Sequence, residues 1–201
     1  TLIVKKPLKL DCGKTINEFP IAYETYGSLN ENKDNAILVF HALTGDQFVT
    51  GVNPITKKDG WWSYAVGPDK AIDTKKYFVI CINTLGSCFG STSPVSINKE
   101  TSMPYRVSFP ALTIEDMANA SHLLIKKLGI NKIKVLVGPS MGGMQALAYS
   151  VLHNKSVENI ILISTATQAL PFAIAVRSLQ REVIRKDPLW KTGFYSYEEP
   201  P

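Results

Sequence analysis

Apolar and polar residues are patterned along the chain in a way that predicts short buried strands separated by helices. Four runs are largely apolar on both faces of an extended chain and predict interior strands: Ala36 to Phe40, Tyr77 to Ile82, Ile133 to Val137 and Asn159 to Ile163. A further extended segment is predicted at Ile21 to Tyr26. Such strands are typical of parallel sheets covered by helices on both faces. The pattern therefore predicts an α/β fold with a mostly parallel sheet.

One helix is marked at both ends between the second and third of the buried strands. Thr113 can accept hydrogen bonds from the amides of the first turn, and Glu115 and Asp116 lie beside the positive end of the helix dipole. Gly129 supplies a stop. His122 falls inside this helix, where we expect a packed or solvent-facing side chain rather than a catalytic one. The apolar positions at helical spacing are Ile114, Met117, Ala118, Leu124, Ile125 and Leu128.

The sharpest chemical signal is Gly138-Pro139-Ser140-Met141-Gly142, which has the form G-x-S-x-G. It directly follows a predicted strand and directly precedes a helical run. In that setting a serine on a tight strand-to-helix turn projects its hydroxyl above the sheet edge as a nucleophile. The glycines keep Cβ atoms out of a strained turn that approaches its neighbours closely. The alternative is an ordinary glycine turn.

The helix that follows Ser140 carries no charged residue before His153. We expect this helix to be deeply buried, with its N-terminus aimed at Ser140. The residues predicted to form its buried apolar face are Met144, Leu147, Ala148, Val151 and Leu152.

A serine nucleophile needs backbone donors for the negative charge of its tetrahedral intermediate. The N–H of Met141, the residue after the nucleophile, is predicted to be the first donor. The loop from His41 to Gly45 leaves a central strand at the same sheet edge, and we predict that Leu43 N–H is the second donor. His41 closes a strand beside this loop, so we expect it to be a structural hydrogen-bonder rather than the catalytic base.

A look-alike motif, Gly86-Ser87-Cys88-Phe89-Gly90, also follows a strand. No helix begins after it, so Cys88 would lack the helix dipole that lowers a thiol pKa. We predict a loop at the ligand-binding edge of the sheet rather than a second elbow.

The general base of a serine nucleophile is not found in the sequence. In this type of fold the order along the chain is Ser, then Asp or Glu, then His. The histidine after Ser140 is His153, about 20 Å away along the same helix, and the aspartate, Asp187, is followed by no histidine. The base and its acid therefore lie in sequence not shown, or the protein is a non-catalytic relative. Because the chain begins with Thr1 and its end reads as unfinished, we expect it to be a fragment. Since a serine without its base loses most of its nucleophilic advantage, we expect this fragment to have little or no activity by itself.

Composition excludes several other classes of protein. No apolar run approaches the roughly 18 residues of a membrane span, and the N-terminus lacks a secretory signal, so a cytoplasmic location is expected. Three cysteines without C-x-x-C spacing and three scattered histidines argue against a disulfide scaffold or a zinc site. The net charge of +5 is spread over isolated lysine doublets, which does not indicate a nucleic-acid partner.

Several linked motifs together resemble the homoserine O-acetyltransferase family of the α/β-hydrolase fold. The resemblance covers nearly the whole chain and is far more specific than the elbow alone. The segments that carry it are His41 to Asp46, Gly60-Trp61-Trp62, Asn83 to Thr92, Pro104-Tyr105, Phe109-Pro110, Thr113 to Met117, Gly138 to Leu147, Gln180-Arg181, Asp187 to Trp190 and Gly193.

The resemblance implies transfer of the acetyl group of acetyl-CoA to the hydroxyl of L-homoserine, a step of methionine biosynthesis, through an acyl-serine. It implies Ser140 as nucleophile and Leu43 and Met141 as the oxyanion donors. It also implies a homodimer and no tightly bound cofactor or metal. Residues 1–170 would form the N-terminal part of the hydrolase core and 171–201 the start of a helical lid. The rest of the fold, most of the lid, the family's Asp and His, and its substrate-binding arginine would follow Pro201.

Four residues depart from the pattern of the family: Thr84, Ser87, Ser93 and Pro139. These positions are expected to line or adjoin the acyl site, which leaves the acyl donor and acceptor open. Succinyl-CoA as donor, serine as acceptor, an esterase and a catalytically silent binding module are the alternatives.

Overall fold

A five-stranded sheet forms the centre of the computed structural model, which describes residues 1–196 and 198–201. In chain order, the strands are β1 Tyr23–Tyr26, β2 Ala36–Phe40, β3 Phe78–Ile82, β4 Ile133–Pro139 and β5 Val157–Ile163. They lie in the spatial order β5-β4-β2-β3-β1. All neighbours are parallel except β1, which runs antiparallel to β3. The predicted α/β class is therefore confirmed.

Three α-helices and several shorter elements complete the described chain. The helices are α1 Ile114–Lys127, α2 Met141–Leu152 and α3 Pro171–Lys186, and short 3-10 turns occupy Arg106–Ser108, Asn154–Ser156 and Pro188–Gly193. Short antiparallel pairs join Leu2–Val4 with Phe19–Ile21, Leu8–Lys9 with Thr15–Ile16, and Ile97–Asn98 with Met103–Pro104. Val66–Gly67 and Ile72–Asp73 pair in parallel. The extended segment predicted at Ile21 to Tyr26 is thus divided between two sheets.

The start of α1 shows why the sequence predicts where this helix begins. Thr113 Oγ1 accepts a hydrogen bond from Asp116 N at 3.1 Å, and the Asp116 carboxylate accepts from Thr113 N at 3.0 Å. This reciprocal capping box satisfies amides that the helix itself cannot pair. The helix ends at Lys127, two residues before Gly129, as the sequence predicts.

One face of the sheet is covered by α1 and α2. Leu38, Phe40 and Ile80 on the strands pack with Leu124 of α1 and Tyr149 of α2 in a fully buried cluster. Burying a side chain of this size contributes about 1.5–3 kcal/mol. This cluster fixes α2, and hence the elbow at its start, against the centre of the sheet.

The opposite face is covered by the long connection between β2 and β3. Val49 and Val66 from this connection are fully buried against Val39 and Val79, with Trp61 and Trp62 packed at the margin. Both faces of the strands are therefore buried, as their apolar runs require. In the part of the chain that the structure describes, helices cover one face and this connection covers the other.

The burial predicted for α2 is wrong. Its buried side chains include Gln145, Ala146 and Tyr149, whereas Val151 is 69% exposed and Leu152 is 45% exposed. The face predicted to be buried lines an open apolar groove instead. A helix that is apolar all round does not reveal which face meets the sheet, because the hydrophobic pattern has no preferred direction.

The described residues contain no helix with both the length and the apolar character that crossing a bilayer requires.

Candidate active site

Ser140 stands at the turn between β4 and α2. Its backbone has φ 53° and ψ −122°, in the positive-φ region that residues other than glycine rarely adopt. The side chain is exposed, and its Oγ has no hydrogen-bond partner among the described residues. A strained, exposed serine between a central strand and a helix N-terminus has the geometry of the predicted nucleophile elbow.

Close contacts leave no room for a side chain at the three glycines around Ser140. A Cβ on Gly142 would lie 2.2 Å from the carbonyl oxygen of Phe40, and one on Gly138 would lie 2.3 Å from the carbonyl oxygen of Gly142. A Cβ on Gly143 would lie 2.6 Å from the Thr165 side chain. The expectation that these glycines permit a close approach is confirmed, and the approach joins the start of α2 to the end of β2.

Hydrogen bonds tie the elbow to the neighbouring strand β5 and the loop after it. Ser140 N donates to the carbonyl oxygen of Ile163 at 2.9 Å. The carbonyl oxygen of Ser140 accepts from Thr165 Oγ1 at 2.7 Å. The position of the serine is therefore set by elements on both sides of β4.

Leu43, Ser140 and Met141 meet at one cavity of about 680 Å³, called here the Ser140 cavity. Among the described residues, neither the Leu43 N–H nor the Met141 N–H makes a backbone hydrogen bond. Two available N–H groups beside a serine hydroxyl are what an oxyanion site needs. The assigned roles of these three residues stay predictions. The other residues lining the cavity are Met144, Ser164, Thr165, Ala166, Gln168, Ala169, Leu170, Ala173, Ile174, Arg177 and Arg181.

His41 is a structural residue, as its sequence position indicates. The ring is fully buried, its Nδ1 contacts the carbonyl oxygen of Ala42 at 2.7 Å, and Thr84 N–H donates to its Nε2 at 3.1 Å. These partners fix a neutral imidazole with the proton on Nδ1. Burial also lowers the pKa of His41. The ring therefore connects the loop that carries Leu43 to Thr84, two residues after the end of β3.

The other two histidines lie at the far end of α2. His122 Nδ1 contacts the Tyr149 hydroxyl at 3.0 Å, and its ring stacks on His153 with centroids 3.7 Å apart. Burial and the neighbouring cations lower the pKa of His122 to about 4. Neither residue lines the Ser140 cavity, so both are excluded as its base within the described structure.

Cys88 lies in a loop, as the sequence predicts, and Asp187 has a structural role. Cys88 is exposed in a loop that leads into no helix. Asp187 caps a 3-10 turn, its carboxylate accepting from Leu189 N at 2.8 Å. The described lining of the Ser140 cavity contains no histidine and no carboxylate. The described residues therefore supply a nucleophile and backbone donors but no adjacent general base.

None of the four departures from the family pattern is among the described residues that line the Ser140 cavity. Thr84 is buried, and its hydroxyl contacts Gln145 Oε1 at 3.3 Å in addition to the Thr84 N–H bond to His41. The buried Ser93 hydroxyl has no hydrogen-bond partner among the described residues. Only Pro139 adjoins the nucleophile directly. The expectation that these four residues line or adjoin the acyl site stays a prediction, with Pro139 the one that directly precedes Ser140.

Sequence reasoning missed Arg177 and Arg181, which reach the same cavity from α3. The available signal was their spacing of four residues on an amphipathic helix, which places both on one face. In the described residues, no group of three or more His, Cys, Asp or Glu side chains is arranged to hold a metal ion.

Strand β4 leads through a serine flanked by glycines into helix α2. A mostly parallel sheet with this arrangement defines the class of α/β proteins that carry a nucleophile elbow. Comparison with known families agrees with this geometry. The chain belongs to the alpha/beta hydrolase fold family, which matches residues 35–201.

Curated relatives confirm the resemblance found in the sequence. The homoserine O-acetyltransferase of Pelagibacter ubique (strain HTCC1062) is 55% identical over 97% of this chain and 52% of that protein. The homoserine O-acetyltransferase of Carboxydothermus hydrogenoformans is 47% identical over 96% of this chain and 52% of its own length. The chain thus spans about half the length of the relatives it matches.

Solved structures with two different activities in their names share the fold. The homoserine O-acetyltransferase from Bacillus anthracis superposes with a TM-score of 0.91 at 36% identity, over 99% of this chain and 55% of that one. Esterase E22 superposes with a TM-score of 0.89 at 32% identity, over 98% of this chain and 55% of that one.

Proposed function

We propose that the protein is a homoserine O-acetyltransferase, which moves the acetyl group of acetyl-CoA to the hydroxyl of L-homoserine. The observation that carries this proposal is the meeting of exposed Ser140 with the available Leu43 and Met141 amides at one cavity. Relatives bearing this name at up to 55% identity support the choice of substrates. Acetyl-CoA is a co-substrate here, and no tightly bound cofactor is required.

The first half-reaction forms an acyl-serine. Ser140 Oγ attacks the thioester carbonyl, and the developing oxyanion accepts hydrogen bonds from Leu43 N–H and Met141 N–H. The C–S bond then breaks, and CoA leaves as its thiol after receiving the serine proton. A histidine oriented by an aspartate, both outside residues 1–201, is proposed to carry that proton.

The second half-reaction transfers the acyl group. The homoserine hydroxyl attacks the Ser140 ester, its proton passes to the same base, and the serine is regenerated. Water must be kept out for transfer to exceed hydrolysis. The α3 segment that walls the cavity supports the proposed division into a core over residues 1–170 and the beginning of a lid over 171–201. A cytoplasmic homodimer is also proposed, from the family resemblance.

Substitution of the nucleophile tests the proposal. Ser140→Ala in the full-length protein is expected to lower CoA release by at least about 10³-fold, because nucleophile and base act as a unit. Mass spectrometry after exposure to acetyl-CoA should show one acetyl adduct on Ser140 in the wild type and none in the variant. Ser150→Ala, on the same helix but outside the cavity, is the matched control. Undiminished turnover in Ser140→Ala contradicts the mechanism.

An esterase is the second candidate, favoured by the similarity to esterase E22. The same acyl-serine would then be resolved by water. Product analysis separates the two functions: O-acetylhomoserine supports the transferase, whereas acetate as sole product supports the esterase. Parallel assays with succinyl-CoA and with serine test the other donor and acceptor.

A further inference from the structure

The Ser140 cavity has an apolar wall that becomes basic along the axis of α3. Ala173, Ile174, Arg177 and Arg181 line the cavity at spacings of one, three and four residues, so a single face of the helix follows it. From Ala173 to Arg181 the helix rises about 12 Å. The first part of this wall is suited to an acyl chain and the second part to a charged group.

Among the described residues, no acidic side chain balances the positive charge of this wall. None of the cavity-lining residues that the structure describes is a carboxylate. The contacts of the two guanidinium groups are to neutral groups on the same helix: Arg177 donates to Gln180 Oε1 at 2.9 Å, and Arg181 donates to Ser178 Oγ at 3.1 Å. Arg185 differs, because it pairs with Glu182 at 3.0 Å and does not line the cavity.

We propose that Arg177 and Arg181 form an anion subsite that holds a carboxylate or phosphate group of a substrate while its reacting end lies at Ser140. Guanidinium groups present several N–H donors in a planar fork that matches such oxyanions. The inference rests on the proposed function, whose substrates carry both kinds of anion: the carboxylate of the amino-acid acceptor and the phosphates of the CoA donor. The subsite would position one of them across the cavity from the elbow.

Single and double Arg→Gln variants of the full-length protein test the subsite. Arg177→Gln and Arg181→Gln are each expected to raise the KM of one substrate about tenfold or more, since each substitution removes a charge-assisted hydrogen bond. Arg→Lys should restore part of the loss, because it keeps the charge but not the fork. Hydrolysis of nitrophenyl acetate, a neutral ester, should change little in every variant. Arg185→Gln is the matched control and should leave both KM values unchanged.

Truncated substrates identify which anion is bound. If the subsite holds phosphate, the variants lose affinity for acetyl-CoA but not for acetyl-pantetheine, which lacks the nucleotide phosphates. If it holds the carboxylate, they lose affinity for homoserine and no longer prefer it to aminopropanol, which has the hydroxyl but no carboxylate.

Two failures can be told apart in these assays. A wild-type enzyme that makes no O-acetylhomoserine overturns the proposed function and the subsite with it. A wild-type enzyme that turns over normally, with unchanged KM values in the folded double variant, overturns the subsite alone. Thermal unfolding of each variant shows whether it is folded.

Discussion

Gly142 is the residue at which the elbow has the least room for a side chain. An added Cβ would lie 2.2 Å from the backbone oxygen of Phe40, which cannot move without disturbing β2. We expect Gly142→Ala to lower the free energy of unfolding by about 3 kcal/mol and to abolish esterase and transferase activity. Urea unfolding and a nitrophenyl acetate assay measure the two effects.

Gly13→Ala is the control for this substitution. Gly13 also has positive φ, 83°, but a Cβ there would meet nothing within 4 Å. We expect a cost of only about 1 kcal/mol from the left-handed backbone and unchanged activity. Equal losses in the two variants would show that close packing at the elbow is not the cause.

His41 is predicted to act on catalysis through the loop that carries Leu43. His41→Phe fills similar space but leaves the Thr84 N–H and the Ala42 carbonyl without their partner. We expect a loss of about 2–4 kcal/mol in stability. We also expect a fall in kcat rather than a rise in KM, because the Leu43 amide is proposed to bind the developing oxyanion. His41→Gln, which can donate and accept, should recover part of both. A wild-type kcat in His41→Phe would contradict the role.

At the residue scale, local sequence was enough for some assignments and not for others. Ser140 and its glycines were predictable because the elbow is a continuous motif whose strain is local. Arg177 and Arg181 were not, because nothing near them in sequence indicates that α3 returns to the Ser140 cavity.

At the scale of elements, the stacked histidines connect α1 to the end of α2 and make that junction sensitive to acid. The pKa of His122 is lowered to about 4 and that of His153 is also lowered, so between about pH 6.5 and pH 4 the unfolded chain binds protons that the folded chain does not. Stability should therefore be fully present above about pH 6.5 and should fall as the pH is lowered towards 4. Nearby Lys126 and Lys6 add to the cost of protonation.

Urea unfolding at several pH values checks this expectation in the wild type and in His122→Phe. The phenyl ring keeps a stacking surface and cannot titrate. We expect a smaller loss of stability on acidification in the variant than in the wild type. Identical slopes would mean that other groups account for the acid sensitivity.

A helix or strand was predictable from the sequence when its signal lies within a few neighbouring residues. The limits of β2 and the start of α1 follow from an unbroken apolar run and a capping box, both contained in a few residues. The orientation of α2 did not follow, because its apolar residues surround the helix. The sequence also did not predict which segment covers the second face of the sheet, because the connection between β2 and β3 has little regular structure.

At the scale of the whole molecule, apolar side chains stand exposed at one edge. Ile161 on the edge strand β5 is 50% exposed, and Val151 on α2 is 69% exposed. Edge strands with apolar side chains pair readily with other chains. We expect the 201-residue polypeptide, studied alone, to self-associate with increasing concentration in size-exclusion chromatography with light scattering.

Ile161→Lys should reduce this association, since a charge on an edge strand opposes pairing. Ile55→Lys is the control, because Ile55 is 61% exposed but lies in the connection on the other face. A monomer at every concentration would exclude self-association. An equal effect of the two substitutions would show that the association surface is not at β5.

The glycines at positions 142 and 143 limit how this part of the molecule can vary. A Cβ on Gly142 would meet β2, and one on Gly143 would meet Thr165 in the loop after β5, so a larger residue at either position would displace Ser140. By contrast, α3 contributes Arg177 and Arg181 to the same cavity, and none of its residues is buried. We therefore expect differences in substrate preference among proteins of this fold to lie on α3 rather than at the elbow.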